Sequence, residues 1–126
     1  MANYISVLHG GIGAYTGDSQ ADGNSLAQLC LNELKKLDDP EQFPPRLLIL
    51  LVSPAYLDLP RAGNLLIGIH QTFAEAGYGN LPLIGCSAAA VFFNQRVHRE
   101  GALLVCLASR LLQAEIAVAA NAAAAP

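Results

Sequence analysis

Six consecutive apolar residues, Leu47-Leu48-Ile49-Leu50-Leu51-Val52, place the strongest constraint on what this chain can fold into. The run is short, and Pro44, Pro45 and Pro54 flank it. Both facts favour a strand over a helix. A strand with one wet face alternates apolar and polar residues, and this one does not. The pattern predicts a central parallel strand covered on both faces.

The same excess runs through the whole chain. Of 126 residues, 53% are apolar and 13% are charged, against about 25% charged in an average soluble domain. Such a composition excludes intrinsic disorder, which needs low hydrophobicity and high charge. A net charge of -3 argues against a basic nucleic-acid binder, so no nucleic-acid partner is expected. A membrane-spanning helix needs about 20 apolar residues. The run from Leu47 to Leu57 is broken by Ser53 and Pro54, and the uncharged stretch from Ala76 to Gln95 by Gly77, Gly79, Asn80, Pro82, Gly85 and Asn94. The first lysines are Lys35 and Lys36, so the start lacks the basic region of a signal peptide, and a cytoplasmic setting is expected. Cys30, Cys86 and Cys106 cannot all pair and read as reduced, mostly buried thiols.

Other elements follow from periodicity. Residues 3–8 read as a strand that His9-Gly10-Gly11-Ile12-Gly13 breaks, and residues 14–24 as a long loop. Ser25 with Gln28 forms a capping-box pattern, which predicts a helix from Ser25 to Leu37 with Lys35 and Lys36 in its last turn. A second helix starts at or near Asp58, with Pro60 in its first turn and Gly77 at its end. Within it, Gly63 and Gly68 weaken the helix or allow close packing. Leu81 to Cys86 reads as a third strand, Ser87 to Phe93 as a loop or helical turn, and Ala102 to Leu107 as a strand. Leu112 to Ala119 alternates with a period of two and reads as an antiparallel strand. The expected fold is α/β: an open, mostly parallel sheet of about five strands with two main helices and an antiparallel last strand. Residues 1–120 read as one domain and residues 121–126 as an alanine-rich tail.

Little in the chain resembles a catalytic constellation. Gly11-Ile12-Gly13 begins a phosphate-binding pattern, but Thr16 replaces its last glycine and the expected helix starts too far downstream. His9, His70 and His98 lack metal-ligand spacing, so neither metal nor cofactor is expected. Arg96, His98 and Arg99 read as a solvated basic loop. Cys86 reads as a small buried thiol. The catalytic alternative is an enzyme that uses Cys86 as nucleophile with His9 or His98 as base.

The segment from Arg46 to Ser109 resembles the amino-terminal FIST domain. An apolar strand ends in Ser53-Pro54, and a later one, Leu81-Pro82-Leu83-Ile84, ends in Gly85-Cys86-Ser87-Ala88-Ala89. A glycine-led apolar strand, Gly101 to Leu107, follows. The sequence departs from the family pattern at Ala88, Ala90 and Val91, where threonine, glycine and an acid are usual. The resemblance implies an intracellular sensory module of signal transduction that binds a small molecule such as an amino acid. The family domain also runs past position 126, so a missing carboxy-terminal part is implied. Ligands of open α/β sheets lie outside the carboxyl ends of the strands. That rule selects His9, Gly10, Ser53, Pro54, Gly85, Cys86 and Ser87 as the ligand site. The alternative is a non-catalytic assembly domain. Two helices leave much apolar strand surface to cover, which predicts a homo-oligomer, in the first instance a dimer.

Overall fold

A computed structural model of the chain describes residues 6–37, 40–89, 91–93, 96–112, 114 and 116. Strand β1 (Ser6–Ala14) leads to helix α1 (Ser19–Lys35), strand β2 (Pro45–Val52), helix α2 (Leu59–Glu75) and strand β3 (Leu83–Ser87). A short hairpin, β4 (Val91–Phe93) with β5 (Arg96–His98), precedes the last strand, β6 (Gly101–Ser109). Four strands form the sheet in the order β1-β6-β2-β3.

This corrects the expected mostly parallel sheet of five strands. β6 lies between β1 and β2 and is antiparallel to both; only β2 and β3 are parallel. The hairpin after β3 sends the chain back into the sheet from the same end, so the last strand runs opposite to the first three. The expected strand over Leu112 to Ala119 is also corrected. Leu112, Ala114 and Ile116 are not in a strand, and residues 113, 115 and 117–119 lie outside the described residues. The lower part of the strand expected at residues 3–8 lies outside them as well.

The glycines near the start do not break β1, which continues through them to Ala14. Gly11 is there for packing. A Cβ at Gly11 would come within 2.9 Å of both the Leu26 carbonyl oxygen and the Leu29 Cβ, so glycine lets α1 lie directly on the strand. The loop expected over residues 14–24 is mostly helix. Asp18, not Ser25, caps α1, and its carboxylate accepts from the Ala21 amide at 3.1 Å. α2 begins as the sequence suggests: Asp58 accepts from the Arg61 amide at 2.9 Å, and Gly77 adopts φ +97° just past the end.

The two helices cross at Gly23 and Gly68. A Cβ on Gly23 would lie 2.2 Å from the Leu65 carbonyl oxygen, and one on Gly68 would lie 2.1 Å from that of Gln20. Backbone therefore rests on backbone, as close packing at Gly68 requires. The Gln20 side-chain amide donates to Gln71 and the Thr72 hydroxyl to Asn24, each at 3.0 Å, and both bonds pin the crossing.

Both helices pack on one face of the sheet. Leu26, Ala27, Cys30, Leu31, Leu65, Ile69 and Phe73 meet Leu48 and Leu50 of β2 and Ala102, Leu104 and Cys106 of β6 in one core. The register directs the intervening residues to the other face: Leu47, Ile49 and Leu51 of β2, Leu103, Val105 and Leu107 of β6, and Leu8 and Ile12 of β1. β2 is central, as expected, but helices cover only one of its faces. The β4–β5 hairpin lies against β1 and β6, and Ile12 and Leu103 are buried on this second face.

Candidate functional site: the uncovered side of the sheet

The residues selected from the sequence do not share one site: His9 and Gly10 stand apart, while Ser53 and Pro54 follow Val52, the register partner of Ser87. His9 and Gly10 lie in the middle of β1, opposite Cys106 and Val105, rather than at a strand end. Ser53 is fully buried, and its hydroxyl accepts from the Gly101 amide at 2.8 Å while its own amide donates to the Gly101 carbonyl at 2.9 Å. That pair of bonds fastens the end of β2 to the start of β6. The Ser53 hydroxyl therefore has a structural partner. Pro54 opens the following helical turn, Pro54–Tyr56. β1 and β3 occupy opposite edges of the sheet, so His9 and Gly10 do not meet the Gly-Cys-Ser turn.

Gly85, Cys86 and Ser87 do come together, at the carboxyl end of the one parallel strand pair. With Leu57, Ala62 and Leu66 they line a cavity of about 310 Å³ between β3 and α2. Among its lining residues are no histidine and no charged side chain. Gly85 is there for close approach, since its Cβ would meet the Leu50 carbonyl oxygen at 2.6 Å. Cys86 is exposed, against the expectation of a buried thiol. The other two thiols are buried as expected, and burial pushes Cys30 and Cys106 up to about 12. The Cys30 thiol donates to the Leu104 carbonyl at 3.4 Å.

A second polar feature escaped the sequence reading. Asp22 is buried in α1 and accepts from the Tyr56 hydroxyl at 2.7 Å, from the Thr16 amide at 3.1 Å and from the Thr16 hydroxyl. Burial, and then the hydrogen bond to Asp22, hold the Tyr56 hydroxyl above its usual range. Tyr15 stacks edge-on against Tyr56 at 5.2 Å. The cluster ties the end of β1 and the turn after β2 to the first turns of α1. The Asp18–Asp22 spacing, with Thr16 just ahead, was its available signal.

The remaining feature is β3 itself. The Leu48 amide donates to Pro82 at 2.9 Å and the Ala88 amide to Val52 at 2.8 Å. Backbone direction alternates along a strand, so Ile84 and Cys86 turn their peptide groups toward β2. Leu83, Gly85 and Ser87 turn theirs to the edge that no described strand occupies. On the face away from the helices, Ile84 is 44% exposed and Leu8 64% exposed. Leu47, Ile49, Val105 and Leu107 beside them are half-buried. No charged residue occurs from Ala76 to Gln95. Proteins usually protect an edge strand with charge, proline or a bulge, and β3 has none of these within its five residues.

Among the described residues, no three His, Cys, Asp or Glu side chains gather as a metal site. None of the described helices is long and apolar enough to cross a membrane. No family model matches the chain, and no curated protein matches it. Solved structures do resemble it. A thiamine monophosphate kinase from Aquifex aeolicus matches with a TM-score of 0.55 at 9% identity, over 82% of this chain. The chain spans about a third of that kinase, 34% of its length. An uncharacterized protein from Pseudomonas aeruginosa matches with a TM-score of 0.45 at 12% identity, over 86% of both chains. At such identities the first likeness describes the fold alone.

Proposed function

We propose that this chain is a non-catalytic assembly domain that docks a further copy of itself on the side of the sheet its helices leave uncovered. One observation carries the reading: the sheet is apolar on both faces, yet both helices pack on the same one. Uncovered apolar surface that is continuous, rather than scattered, marks an interaction site. The small-ligand reading implied by the FIST resemblance draws support from the cavity beside Gly85 and Ser87. That cavity offers an amino acid no counter-ion for its charged groups, and burying them unpaired is costly. Its chemistry favours assembly. Sedimentation of the intact chain and of the double variant Leu8→Lys/Ile84→Lys tests the reading. The wild-type chain is expected to sediment as an oligomer and the double variant as a folded monomer. Equal association of the two would contradict it.

A further inference from the structure

We infer that the cavity between β3 and α2 is a binding site for a neutral, mostly apolar small molecule of about two fused rings. The site is independent of the assembly reading, because it lies on the helix side of the sheet and the proposed docking face is the other one. Leu83, Gly85 and Ser87 stand beside Leu48, Leu50 and Val52, which pack against the helices. Gly85 adds no side chain to this face, and Ala62 adds only a methyl group from α2. Both line the cavity, and their small size leaves it open.

Volume and lining select the ligand. The cavity of about 310 Å³ is about twice the roughly 150 Å³ that houses one benzene ring. Its walls are aliphatic, from Leu50 and Val52 on the sheet to Ala62, Leu65 and Leu66 on the helix. Strand alternation turns the Cys86 side chain to the opposite face, so among the lining residues Ser87 supplies the hydrogen-bonding side chain. Neither sign of charge gains a partner. The lining residues carry none. Asp58, next to Leu57 at the cavity's end, already caps α2 and pairs with Arg61 at 3.0 Å. An anion would meet that carboxylate rather than free helix amides, and an ammonium group would meet a carboxylate already paired. A neutral apolar body with one hydroxyl group, held against Ser87, fits the volume, the walls and the absence of charge in the lining.

Titration of the intact, isotope-labelled chain with naphthol, followed by NMR, tests the site. Naphthol is expected to bind one to one with a dissociation constant on the order of 0.1 mM. The amide shifts should centre on Ala62, Leu66, Gly85 and Ser87, which locates the ligand without any substitution. Ala62→Phe fills the cavity from the half-buried flank of α2 and should weaken binding by about tenfold or more. Ser87→Ala should weaken naphthol by about twofold to tenfold and leave naphthalene, which has no hydroxyl, unchanged. Naphthoate, charged at neutral pH, should bind about tenfold more weakly than naphthol. Shifts centred elsewhere, no saturable binding, undiminished binding to folded Ala62→Phe or equal binding of naphthoate would each overturn the site. Leu8→Lys/Ile84→Lys alters the other face and should bind naphthol as the wild-type chain does. A monomeric wild-type chain that binds naphthol at these residues would contradict the assembly reading and uphold the site.

Discussion

The two faces of the sheet carry the same kinds of residue and meet different fates. On β2, Leu48 and Leu50 are buried under the helices, whereas Ile49 between them is only half-buried. On β6, Leu104 and Cys106 are buried, whereas Val105 between them is half-buried. An apolar face therefore does not imply a covered face. What covers it is decided by where the helices settle, and here Gly11, Gly23 and Gly68 draw both helices to one side.

The largest test of that difference strikes the helix crossing. Gly68→Val drives side-chain atoms into the Gln20 backbone, and should cost about 4 kcal/mol or more in denaturant unfolding. If it is tolerated, the helices do not need backbone contact to stay on one face. Next comes a matched pair on β2. Leu48→Ala should cost about 3 kcal/mol, while Ile49→Ala should cost about 1 kcal/mol at low protein concentration. Because assembly covers the second face, the cost of Ile49→Ala should grow as concentration rises. Equal costs for the two would erase the distinction between the faces. Tyr56→Phe leaves the buried Asp22 carboxylate short of one donor and should cost about 1–2 kcal/mol in thermal unfolding.

A further effect is alkaline and sets in above pH 9.0. Cys30 and Cys106 ionise in the unfolded chain near the ordinary thiol value of 9.0 but only at about 12 when folded. The native state therefore holds protons that the unfolded state releases. Their contribution is complete below pH 9.0 and declines as pH rises toward 12. Each thiol adds at most about 1.4 kcal/mol of loss per pH unit. Thermal midpoints from pH 8 to 11 should fall less steeply for Cys106→Ala than for the wild-type chain, by roughly a third to a half. In the same range a thiol reagent should label Cys86 in the folded chain well before Cys30 or Cys106.

Local chemistry made some of this fold legible and long-range geometry hid the rest. Asp58, Pro60 and Gly77 mark the ends of α2 by capping rules that act within one turn, and the structure follows them. Gly10, Gly11 and Gly13 read as a strand end because glycine is a frequent breaker. The actual role of Gly11, admitting α1 onto β1, depends on a helix beyond the next turn. The insertion of β6 between β1 and β2 has no local signature at all. Leu47 to Val52 misled for a related reason: an apolar run records what each face could bury, and both faces could. Of the site residues, Gly85, Cys86 and Ser87 share a cavity because adjacent positions of one strand must stay together. His9 and Gly10 were placed by a rule for strand ends, but β1 runs on past them to Ala14, and Ser53 does follow the end of β2, where the Gly101 amide occupies its hydroxyl. The edge itself left one trace, the uncharged stretch around β3.

Light scattering on the intact chain, from about 1 to 100 µM, tests the central claim most directly. The account predicts a mass that climbs from 13.2 kDa to at least twice that value as copies meet through the uncovered side. A mass of 13.2 kDa at every concentration would contradict it.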